Sequence, residues 1–96
     1  MNVAELDEVQ YDLEVDGEEV RKQLSRRVWE RAGWATVAIA FKERDRAGEW
    51  KPPKLVVLRF RRIHEVWQRQ AQITLPSDEA LELGETIVSW HATTMS

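Results

Sequence analysis

The chain has no cysteine, which excludes disulfide cross-links, thiolate metal ligation and a thiol nucleophile. It also has no apolar run approaching the roughly 20 residues of a helical membrane span. Its opening residues, Met1 to Glu8, are acidic where a secretion signal would be basic and then apolar, so a soluble, cytoplasmic protein is expected. The only histidines are His64 and His91, and neither has the spacing of a ligand set on one helix or strand, so no metal or other cofactor is expected. No glycine-rich phosphate loop, paired-carboxylate signature or serine–histidine–carboxylate arrangement can be read, and an enzyme is the least favoured class.

What is present is an uneven charge distribution. Residues 1–33 hold nine acids against five bases, residues 34–75 hold nine bases against four acids, and residues 76–96 hold four acids and no base. The net charge is −3, yet the central stretch alone is +5. Local potential rather than net charge steers a polyanion, which makes nucleic acid the first partner to consider. Ninety-six residues allow one domain, small enough that dimerisation would add useful burial.

The opening residues 1–8 show no buried-face pattern and are expected to be disordered, leaving a single domain over 9–96. Val9, Tyr11, Leu13 and Val15 alternate with polar residues, the period of a half-buried strand, and Asp16-Gly17 follows as a turn. Glu18 to Arg31 carries two patterns. As a helix it stacks Val20, Leu24 and Val28 at four-residue spacing; as a strand it places those three beside Lys22 and Arg26, with Arg21, Gln23, Ser25, Arg27, Trp29 and Arg31 on the other face.

From Trp34 the alternation is cleaner. Val37, Ile39 and Phe41 share one face, and Val56, Leu58 and Phe60 do the same after a polar loop containing Pro52-Pro53. His64-Glu65 reads as a hairpin tip. The returning strand to Leu75 sets Trp67, Ala71, Ile73 and Leu75 against Gln68, Gln70, Gln72 and Thr74, with Arg69 interrupting the apolar side in the manner of a bulge or an edge. Pro76 ends it. Ser77 is a good helix cap, and Leu83, Ile87 and Trp90 define the apolar stripe of a C-terminal helix that contains Gly84.

This order of elements resembles the single-stranded-DNA-binding superfamily of the positive transcriptional coactivator and the plant Whirly proteins, including small bacterial members. The resemblance is carried by Arg31-Ala32-Gly33-Trp34-Ala35-Thr36-Val37-Ala38, by Gly48-Glu49-Trp50-Lys51-Pro52-Pro53-Lys54, and by Arg69-Gln70-Ala71-Gln72-Ile73-Thr74-Leu75 leading into the last helix. It covers about three quarters of the chain by pattern and element order rather than by a diagnostic motif. It favours the strand for Glu18 to Arg31 and implies an α+β fold: a four-stranded antiparallel meander packed by one C-terminal helix (ββββα), with an extra N-terminal strand. It further implies homodimers joined through that helix, here at Leu83, Ile87 and Trp90. The acidic N-terminal segment and low isoelectric point depart from the family pattern.

If the helix seals the apolar face, the open face would show Arg27, Trp29, Trp34, Lys42, Arg44, Lys54, Arg59, Arg61, Gln68 and Gln70, with Gln72. The cations would neutralise phosphates, tryptophan would stack on unpaired bases, and glutamine would add hydrogen bonds; single-stranded DNA or RNA is the expected partner. Competing readings are plain: a solvated sheet face, tryptophans used for packing, and a homodimeric interaction module meeting an acidic protein.

Overall fold

Strict alternation governs Trp34–Glu43, where Ala35, Val37, Ile39 and Phe41 are buried and the residues between them are partly open. The computed structural model describes residues 2–95. Its strands are β1 (Asn2–Val3), β2 (Leu13–Val15), β3 (Glu18–Arg31), β4 (Trp34–Glu43), β5 (Lys54–Ile63) and β6 (Val66–Pro76), followed by helix α1 (Ser77–Trp90) and a π-helical turn over His91–Met95. The residues of Glu18–Arg31 are therefore extended throughout. The Ala32-Gly33 link to β4 has positive φ at both positions, 51° and 81°, which suits the right-handed twist of a tight hairpin.

The expected four-stranded sheet is corrected to six strands, ordered β1-β6-β5-β4-β3-β2, antiparallel and curled into a half-barrel. The α+β class with one C-terminal α-helix stands. The extra strands come from the N-terminal segment, which adds β2 beside β3 and crosses the sheet to put Asn2 and Val3 against Gln68 and Trp67. Of the opening residues 1–8, expected to be disordered, Met1 lies outside the described residues, while residues 2–8 contain β1 and a 3-10 turn at Leu6–Glu8, where Glu8 accepts hydrogen bonds from the backbone N–H groups of Ala4 and Glu5.

This segment also closes the core. Val9 is fully buried among Ala35, Val37, Ile39, Phe41, Val56, Leu58, Phe60 and Trp67, with Val3, Leu6, Tyr11 and Val28 around them. Residues 9–12 do not continue the expected strand because side chains take the ladder's place. The Tyr11 N–H donates to Gln23 Oε1 at 3.2 Å, and the Gln23 N–H to Asp12 Oδ1 at 2.8 Å. An Arg26 Nη donates to the Leu6 carbonyl at 2.6 Å, and the Tyr11 ring meets Phe41 edge-on at 4.6 Å under the Arg21 guanidinium.

The helix, expected to seal this face, does not. No residue of α1 is buried, and Leu81, Leu83, Ile87, Val88 and Trp90 are exposed. The sheet underside was already covered, and α1 instead lies along β5 and β6 with Leu83 beside Ile73 and Leu75, residues of the face opposite the core. The molecule is 46 × 37 × 17 Å with a radius of gyration of 15.5 Å. A compact chain of this length would have a radius of about 12.5 Å. Ser77, expected as the helix cap, is instead its first residue, and Pro76 precedes it without a side-chain cap. A Cβ at Gly84 would meet nothing within 4 Å, and the helix runs through it unbroken.

Because Val9 is the plug of the core, Val9→Ala should lower unfolding stability by about 2 kcal/mol, through lost methyl burial and a residual cavity. Urea denaturation measures this, and an unchanged midpoint would mean the segment is not anchored there.

Candidate nucleic-acid interface

Directly opposed residues share a face, so the register of the strands defines the surface opposite the core. Across β3, β4 and β5 it reads Arg31, Trp34 and Arg61, then Trp29, Thr36 and Arg59, then Arg27, Ala38 and Val57, then Ser25, Ala40 and Leu55, and ends with Lys22 opposite Lys42. No paired position on these rows carries a carboxylate. Burying such guanidiniums on the core side would cost far more than leaving them in water, so their placement follows from the same alternation that builds the core.

The tryptophans sit among these cations. The Arg59 and Arg61 guanidiniums lie 4.8 Å and 5.3 Å from the Trp34 ring centroid, and Arg27 lies 5.1 Å from that of Trp29. Arg59 is further oriented by a 2.8 Å hydrogen bond from an Nη to Thr36 Oγ1. A guanidinium stacked on an indole keeps its remaining N–H edge available for a phosphate fork. Trp29, Arg31, Ala32, Trp34, Thr36 and Arg59 line a depression of about 330 Å³ at the β3–β4 hairpin, and Trp29 is half exposed.

A third tryptophan lies at the far end of β4. The loop after β4 turns back so that Trp50 forms a bridge with Arg44, and its ring lies 4.7 Å from Lys42 Nζ and 4.3 Å from the Arg44 guanidinium. Arg44 donates at 2.8 Å to the carbonyls of both Glu19 and Gly48, so it fixes this loop. Sequence reasoning assigned Trp50 no binding role; its only local signal was its position in a polar loop between two basic strands.

Several expected site residues lie elsewhere. Lys54 falls on the core side of β5 and pairs with Glu43 at 3.4 Å, a carboxylate that also holds Arg21 at 3.2 Å. The β6 register shifts opposite Arg59 and Phe60, with Gln70 as the inserted residue. Gln68 therefore stays beside Arg61, Gln70 turns back onto the Gln68 carbonyl, and Gln72 faces Leu58 on the core side. The same bulge keeps Trp67 in the core while sending Ala71, Ile73 and Leu75 to the opposite face, dividing a stripe that the sequence alone joins. In β3 an inserted Leu24 likewise moves Arg21 and Gln23 to the core side. Arg27, Trp29, Trp34, Arg59 and Arg61 are brought together at one end of the face, Arg31 joins them, and Lys42 lies on the same face at its other end.

Among the described residues no three His, Asp or Glu side chains gather as metal ligands, and no helix is long and apolar enough to cross a membrane. Compared with family models, curated proteins and solved structures, the chain matches none.

The cations around Trp29, Trp34 and Trp50 should make tryptophan emission more sensitive to iodide than to caesium, because an anionic quencher is concentrated there. Replacing Arg59 and Arg61 by alanine should remove much of that difference. Equal quenching by both ions would show that the local potential is not positive.

Proposed function

We propose that this protein binds single-stranded nucleic acid on the open face of its sheet, without strong sequence preference, as an accessory factor in transcription or replication. The observation that carries the reading is the cluster of Trp29 and Trp34 with Arg27, Arg31, Arg59 and Arg61 at one hairpin. Base stacking on indole is worth about 1–3 kcal/mol per base and tolerates any base, while the guanidiniums supply the phosphate attraction. Duplex recognition fits less well, since the only α-helix among the described residues carries Asp78, Glu79, Glu82 and Glu85 and no basic residue. The resemblance to the coactivator and Whirly superfamily supports the same partner, although this sheet has more strands than the family pattern implies.

The helix supports a homodimer. Leu83, Ile87 and Trp90 are 42%, 46% and 53% exposed, on an element that contributes nothing to its own core. An exposed apolar stripe on a helix is the geometry of a helix-to-helix contact, and a second copy supplies an identical stripe.

Two measurements test these readings. Titrating an oligonucleotide at low and moderate salt should quench tryptophan emission with a steep salt dependence, and Arg59→Ala with Arg61→Ala should weaken binding to all sequences about equally. Absence of binding at low salt would favour a protein-interaction module instead. For the dimer, Ile87→Asp should halve the mass seen by light scattering without loss of the sheet signal in circular dichroism; an unaltered mass would place the interface elsewhere.

A further inference from the structure

We infer that the open face carries a two-station path, in which one extended strand must reach both ends of β4 for full affinity; this rests on the single-strand reading above. The first station is the Trp29–Trp34 depression with Arg59 and Arg61. The second is Trp50 with Lys42, beside Lys22. Trp34 and Lys42 share a face of β4, so the stations stand about 27 Å apart at about 3.4 Å per residue.

The floor between them suits a passing strand. Ala38 and Ala40 are small, and with Val57 and Leu55 opposite they make a partly exposed apolar strip; its paired rows carry no carboxylate, and Glu79 and Glu82 of α1 stand past its β6 side, beside Ile73 and Leu75. The far station also has a reason of its own to take a phosphate. Lys22 and Lys42 are directly opposed on one face, and like charges so placed destabilise a sheet unless an anion lies near them. Arg44, anchored on two carbonyls, holds Trp50 where a base would meet it.

Such a path sets a minimum length. A strand too short to span β4 engages one station, whereas a longer one binds the second intramolecularly at high effective concentration. Labelled oligodeoxythymidylates from about three to about twelve nucleotides, spanning much of the ~4–16-nucleotide range of single-strand-binding site sizes, should be titrated into the full chain and followed by anisotropy. Affinity should step up by about tenfold once both stations are reached. Trp50→Ala should abolish the step, weakening the longer oligonucleotides far more than the short ones because the Trp29–Trp34 station still holds those, and Trp50→Phe should retain the step. Lys22→Gln removes a repulsion, so it should weaken the longer oligonucleotides more than the short ones and raise the melting temperature. A smooth rise with length, or a step that survives both Trp50→Ala and Lys22→Gln, overturns the path while leaving single-strand binding intact. No binding at any length overturns both.

Discussion

The register between β4 and β5 decides what this surface is. It sets Val37 against Leu58 and Ile39 against Val56 on one side, and Trp34 against Arg61 and Thr36 against Arg59 on the other. A slip of one residue would exchange the two sets, driving guanidiniums into the core and apolar side chains into water. The core and the basic face are thus held by one constraint: the hydrophobic cost of a wrong register enforces the positions of the cations, which gain little from one another. That is why like-charged neighbours such as Lys22 and Lys42 persist on a stable sheet.

The N-terminal segment divides the labour among the remaining elements. By placing Val9 in the core and Val3 and Leu6 at its margin, it closes the underside of the sheet with its own chain. Its carboxylates Glu5, Asp7 and Glu8 consequently lie on that side, away from the basic rows, and do not compete with an anion for them. The helix is released from core duty, which accounts for its apolar stripe, its lack of buried residues and the extended radius of the molecule.

Much of the fold was legible where alternation was local. The apolar sets of β4 and β5, the Asp16-Gly17 turn, the start of α1 after Pro76 and the stripe of Leu83, Ile87 and Trp90 follow from spacing alone, because each records which side of an element meets water. Glu18–Arg31 was ambiguous because the bulge at Leu24 breaks the period of two and imitates helical spacing. The bulge at Gln70 misled in the same way, joining Trp67 to Ile73 in sequence pattern while the backbone sends them to opposite faces. The short strand β1 could not be found by period, since two residues carry none and its partner is distant; β2 falls within the strand that the alternation of Val9, Tyr11, Leu13 and Val15 predicts, but only Leu13–Val15 of it pairs.

The sequence by itself determined the positive middle, the alternating strands and the amphipathic last helix, since these depend on neighbours a few residues apart. Only the tertiary structure decided that Lys54 leaves the basic face for Glu43 and that Trp50 returns to Lys42 and Arg44. It likewise decided that the N-terminus, rather than the helix, seals the core. Each of those outcomes is a competition between long-range partners for the same surface. The winner is set by shape and burial in three dimensions, which no window of sequence contains.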